Sequence, residues 1–204
     1  MTGGAPKTSS TGTGRGGTLP YRVAVLCYLY DHQGRVLLLH RRQSPNIGMY
    51  SPVGGKLDLA RGEGPHQCAL REIREETGIA LHRGDLRLLG IVSERAYQGE
   101  AHWLLFLFEA TRALPPEALR WAEFEEGTLA WTPQGDVARL PIPRTDRDVM
   151  WPLVQSHRGG FFTVHIDWSG EDITWTVHES WKAEEAEKSP GLICATHPLG
   201  PAGK

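Results

Sequence analysis

Pro65 and Gly78 bracket the stretch HQCALREIREET. A proline is tolerated in a first helical turn and a glycine suits a left-handed cap, so the interval reads as a helix of about three turns. At roughly 100° per residue, Glu72, Glu75 and Glu76 share one face, while Ala69, Leu70 and Ile73 point elsewhere. A run of glutamates is ordinarily a solvated face of a helix. Here Glu72 and Glu76 form a like-charged i,i+4 pair, and the three acids sit in the last turns, where the helix dipole disfavours an anion by about 0.3–1 kcal/mol. No lysine offsets them, and Arg71 precedes Glu75 in the less favourable order for an ion pair. A divalent cation resolves the conflict, because magnesium takes hard carboxylate oxygens together with substrate phosphates. The pattern points to phosphate chemistry.

Glu63, followed after seven residues by Arg71-Glu72-Ile73-Arg74-Glu75-Glu76-Thr77-Gly78-Ile79, resembles the Nudix box of MutT-like hydrolases. The second half matches at every defined position, a specificity well above that of an ordinary short motif. The first half departs: residues 56–62 separate Gly55 from Glu63, two more than the family pattern. The resemblance implies an α+β fold, an α/β/α sandwich with a mixed β-sheet between helices. It also implies Glu72 and Glu76 as principal Mg2+ ligands (with Mn2+ able to substitute), Glu75 as a further ligand or the general base, and Gly54 as a carbonyl ligand. Glu63 would pair with Arg71, a bidentate contact that clamps loop to helix rather than touching substrate. The family often adds a carboxylate from a later loop. Glu123, Glu125 and Glu126 precede Gly127, and Glu126 is the choice among them.

Arg41 and Arg42, at the end of an apolar run, are candidate phosphate contacts, although paired arginines at a strand end more often face solvent. Of seven tryptophans, Trp131 or Trp103 could stack on a base, against the commoner role of core packing. Asn46 and Tyr50 could read a base edge or cap a turn.

Residues 1–18 are almost entirely Gly, Thr, Ser and basic residues, too polar to offset the entropy of ordering, and residues 183–204 turn from charged to rich in Pro and Gly. Both are expected to be flexible tails around one domain at 19–182. The net charge of −2 favours a small nucleotide over nucleic acid or an anionic membrane as partner. A homodimer stays open. Three isolated cysteines, and the absence of an apolar signal core or transmembrane run, suit a cytoplasmic protein.

Residues 21–30 and 35–40 read as strands joined by the turn Asp31-His32-Gln33-Gly34, and 86–94, 102–110 and 129–131 as further strands. Thr145 before Asp146 and Asp148 reads as a helix start, with Pro152 expected to shorten or kink the helix over 147–155. Beyond it, alternation on both sides of Gly170-Glu171 predicts a hairpin pairing Ile166 with Trp175 and Val164 with Val177, one face wholly apolar and buried. His165 and His178 lie near each other on the other face, short of a zinc site. Thr145-Asp146-Arg147 with this hairpin is similar to the C-terminal part of some MutT-like nucleotide diphosphatases. Two readings stay open: a magnesium-dependent hydrolase of a nucleoside diphosphate linked to some group X, including oxidised or canonical nucleoside triphosphates, or a Nudix-fold binding or regulatory module without catalysis. Retention of three mutually repelling carboxylates favours the first.

Overall fold

The computed structural model describes residues 18–186, so both tail readings fall almost wholly outside the described residues; Ala183–Ala186 forms one helical turn. Among the described residues nine strands make two sheets. A mixed sheet runs in the order β1 (Tyr21–Tyr28), β5 (Ala101–Ala110), β4 (Leu86–Tyr97), β8 (Phe161–Asp167), β9 (Thr174–Trp181). The second, antiparallel, runs β3 (Tyr50–Pro52), β2 (Val36–Arg41), β7 (Gly127–Thr132), β6 (Glu123–Phe124).

Alternation along β1 explains the layering. Val25, Cys27 and Leu29 enter one apolar cluster with Cys68, Ala69 and Ile73 of helix α1 (Pro65–Thr77). Ala24, Tyr28 and Tyr30 enter another with Val149, Met150, Trp151 and Val154 of the C-terminal helical segment. Helices therefore cover both faces of the mixed sheet, an α+β sandwich. No helix among the described residues is long and apolar enough to cross a membrane.

Residues 21–30 and 35–40 hold two strands joined by the expected turn, with a local bridge, Tyr30 with Val36, beyond which β1 pairs in parallel with β5 and β2 joins the other sheet. The helix over 147–155 is interrupted as expected: a π-helical turn, Asp146–Met150, stands before Pro152, and α2 (Trp151–Ser156) is only six residues long, the irregularity falling where proline has no amide to donate. Thr145 supplies no side-chain cap. The hairpin has the expected register, Ile166 with Trp175 and Val164 with Val177, yet its turn is longer than two residues and only one strand is buried. Phe162, Val164 and Ile166 of β8 are buried, whereas Trp175 is 51% and Val177 39% exposed, because β9 is the sheet edge and lies beyond the helical cover.

Candidate active site

Helix α1 ends where its sequence asks: Gly78 adopts φ 74° and its amide closes onto the Arg74 carbonyl, while at the start the Gln67 side chain accepts from the Gly64 amide. This orientation aims Glu72 and Glu76 at the strand-like segment from β3 to Gly55. The carbonyls of Val53 and Gly55 accept from Cys27 and Val25 of β1, which holds the segment flat against the sheet. Gly54 sits between them at φ 150°, and a Cβ there would strike the Val25 carbonyl; a Cβ on Gly55 would strike the Glu72 carboxylate. Two glycines thus let backbone and carboxylates approach.

Glu76 is almost fully buried. Its Oε2 accepts from the Gly54 amide at 3.2 Å, and its Oε1 has no hydrogen-bond partner. Burial first, then the negative charge of Glu72, pushes its carboxyl up to about 8. Burial also raises Glu72, and the Arg71 guanidinium opposes that rise. Glu126 lines the same cavity and its charge raises both. Gly54 contributes its amide to Glu76, a contact the sequence reading, which named its carbonyl, did not include.

Arg71 has a larger share than its spacing suggested. Its Nε and Nη2 donate to the two Glu63 oxygens, each at 2.8 Å, so Glu63 drops to about 2. Its Nη1 donates to Glu72 at 2.7 Å and to Glu75 at 3.0 Å. One guanidinium therefore offsets three carboxylates, including the i,i+4 pair expected to be weak. The seven residues between Gly55 and Glu63 include a 3-10 turn, Leu59–Arg61, whose Arg61 amide donates to Asp58, and Glu63 also accepts from the Asp58 amide.

The cavity has a volume of about 430 Å³, in the range of small-molecule sites. Arg41, Glu72, Gly54 and Glu126 line one part of it; Glu94, Asp146, Tyr97 and Trp103 line another. Other sequence candidates fall outside. Glu75 turns to solvent, 59% exposed, so the three helix acids do not converge as a set. Arg42 binds Glu123 and Thr128 across the second sheet, because its backbone pairs with Glu126 and its side chain follows β6. Trp131 packs into the cluster with Leu37 and Leu129, since it shares their face of the second sheet; it is Trp103 that reaches the cavity. Asn46 reaches it too, accepting from the Tyr97 hydroxyl at 3.2 Å.

Sequence reasoning passed over Glu94 and gave Asp146 only a capping role. Glu94 is 3% exposed on β4, and burial pushes it up to about 7. The Thr145 hydroxyl and Trp168 indole temper that rise, although neither closes a hydrogen bond of ordinary geometry. Asp146, in the π-helical turn, is raised well above the usual carboxylate range by burial and by the charge of Glu94. Two-residue alternation was the signal that could have found it, since Glu94 shares the buried face of β4 with Val92.

A NUDIX domain model matches residues 20–151. The chain is 34% identical over 110 residues to an RNA pyrophosphohydrolase of Cereibacter sphaeroides, which covers 47% of this chain and 66% of that protein. It is 30% identical over 150 residues to the RNA pyrophosphohydrolase of Mesorhizobium japonicum, covering 62% and 84%. The MutT protein of Bacillus halodurans superposes with a TM-score of 0.60 at 26% identity, over 77% of this chain and 97% of that one. This chain belongs to the NUDIX family, and it spans just under two thirds of the length of the first of these relatives.

Proposed function

We propose that this protein hydrolyses a diphosphate linkage in a nucleoside diphosphate bearing a further group X, with nucleoside triphosphates as leading substrates and Mg2+ as the cofactor. The observation that carries the reading is Glu76: a buried carboxylate with one oxygen unpartnered, beside Glu72, which lines a cavity of nucleotide size. The Gly54 amide satisfies only the other Glu76 oxygen, and a hard cation fits the donor set. Among the described residues no three His, Cys, Asp or Glu side chains are already close enough to enclose a metal ion.

Glu72, Glu76 and Gly54 would hold the cation, with Glu75 at the rim. When bound, the cation offsets the charge on the diphosphate oxygens that otherwise repels a nucleophile. Arg41, which lines the cavity and is braced by its Nε donating to the Pro45 carbonyl at 2.9 Å, orients a phosphate. Glu126 takes the proton of the attacking water at its carboxylate, and the Glu63–Arg71 clamp keeps the loop and helix in register.

A second substrate class is favoured by the relatives named RNA pyrophosphohydrolase: the 5′-triphosphate end of an RNA. A panel of nucleoside triphosphates, oxidised nucleotides, sugar nucleotides, ADP-ribose, dinucleoside polyphosphates and 5′-triphosphorylated RNA, each with Mg2+ or with chelator, separates these by released phosphate or pyrophosphate. Turnover in excess chelator would overturn the cofactor. Silence on the whole panel with Mg2+ supplied would leave a binding module.

A further inference from the structure

A second pocket, with no lining residue in common with the cleft, opens where the chain leaves β1 and β5. Tyr30, His32, Thr111, Arg112 and Arg158 are on its lining, and its volume is about 270 Å³, below the range of drug-sized ligand sites but ample for a small ion. Tyr30 is 3% exposed, and its hydroxyl is buried with no hydrogen-bond partner. Such a group is costly, and native structures normally satisfy it with a ligand or an ordered water. Arg158, in the turn between α2 and β8, lies over the Tyr30 ring with its guanidinium carbon 3.8 Å from the centroid. Stacking fixes the plane of the guanidinium and leaves its N–H edge unused: among the described residues no oxygen accepts a hydrogen bond from it, and Glu109 stands 3.7 Å from its Nε.

The charges around the pocket decide which ligand it takes. Asp31 pairs with Arg35 and Asp85 with Arg112, while Glu109 meets two arginines, Arg87 and Arg158, so the cluster keeps one positive charge over. Glu109 already accepts from Arg87 and from the Gly159 amide, each at 2.8 Å. Both Asp31 oxygens are likewise taken, by the Gln33 and Arg35 amides and by the Arg35 side chain. A cation therefore meets a repelling field and occupied acceptors, whereas an unmatched hydroxyl beside an unmatched guanidinium suits an anion.

We propose that Tyr30 and Arg158 bind a small phosphoryl oxyanion at this pocket, apart from the NUDIX cleft. The planar guanidinium offers two parallel N–H groups to two of its oxygens, and the Tyr30 hydroxyl donates to a third. Free phosphate and a phosphate monoester share this chemistry, and a titration with each separates the two sources.

Binding here is independent of hydrolysis, so the test needs no turnover. Calorimetric titration of the full chain in chelator, at constant ionic strength with chloride as control, uses inorganic phosphate and glycerol 3-phosphate as probes. Wild type is expected to bind at least one of them in preference to chloride. Arg158→Gln should weaken that binding at least about tenfold, and Tyr30→Phe, which removes only the hydroxyl, about 3- to 10-fold. Arg41→Gln, which removes a phosphate contact of the cleft, should change it less than about twofold. Tyr30→Phe also relieves an unmatched hydroxyl, so in chloride it should melt at or above the wild-type temperature and in phosphate gain less than wild type does. Melting curves establish that each variant folds; should Arg158→Gln fail to, Tyr30→Phe decides. No binding of either probe, an unchanged affinity in folded Arg158→Gln or Tyr30→Phe, or loss of binding in Arg41→Gln, which would move the ion to the cleft, overturns the proposal.

Discussion

The two parts of the cleft use the same residue type under opposite conditions. Around α1, Arg71 reaches Glu63, Glu72 and Glu75 at once, so that most of the acids there are ion-paired and Glu63 is driven down to about 2. Glu76 is the exception: burial and Glu72 act on it, and one of its oxygens stays unmatched. On the β4 side, Glu94 and Asp146 meet only neutral donors and each other, and both rise. Carboxyl groups in neighbouring parts of the cleft are thereby under different control: ion-paired with one guanidinium near Arg71, raised by burial near Trp168.

The largest effect expected of any substitution is at Glu76. Glu76→Gln preserves shape and helix propensity but removes a ligand, so Mg2+-supported kcat should fall by more than about 100-fold, beyond what loss of an outer-sphere partner typically costs. Its melting temperature in chelator should stay level or rise, since a buried, like-charged group is neutralised. Mg2+ should then stabilise wild type more than the variant. An equal Mg2+ response in both would take Glu76 out of the metal site and blur the contrast between the two parts of the cleft.

Glu63→Gln should behave oppositely. It removes the bidentate partner of Arg71 at a position only 11% exposed, costing about 1–3 kcal/mol, towards the lower end because Arg71 is itself a third exposed and keeps Glu72 and Glu75. At roughly 2–4 °C per kcal/mol, thermal melting shows a drop of several degrees, with activity reduced less than in Glu76→Gln. A variant as stable as wild type would mean the clamp contributes nothing.

The β4 side is sharpened by pH. Glu94 has an ordinary value of 4.5 and a folded value of about 7, so between those limits the folded protein binds a proton that the unfolded chain has released. Stability from this group is therefore full below about 4.5, falls as pH rises through 7, and is flat above. Urea melts at pH 5 and pH 8 should show wild type losing roughly 1–3 kcal/mol more than Glu94→Gln. Equal losses would show that Glu94 titrates as an exposed acid. The smallest effect belongs to a residue outside the cleft: Trp131→Phe should change KM by less than about twofold, because the ring packs in the α1-side core, and a large rise in KM would return it to the substrate.

Much of this was legible in the chain itself. The bounds of α1 and the placement of its acids depend on residues close in sequence, where proline, glycine and 3.6-residue periodicity act directly, while the Glu63–Arg71 contact was implied by the family resemblance. The pairs Ile166–Trp175 and Val164–Val177 came from two-residue alternation for the same reason. Glu126 was picked from three neighbouring glutamates, and it lines the cavity while Glu123 is taken by Arg42.

The chain alone therefore determined what is local: which stretch is the acidic helix, which residues can chelate, which strands alternate. Tertiary structure decided the rest, because those outcomes depend on partners far away in sequence. Tyr21 lies opposite His102, which sends β1 to one sheet and β2 to the other. The edge position of β9 leaves Trp175 and Val177 exposed although their pattern is that of a buried face. Residues as distant as Glu94 and Asp146 become neighbours only when β4 and the π-helical turn close over one cavity, and it is burial, a property of the folded whole, that raises both carboxyls above their ordinary range.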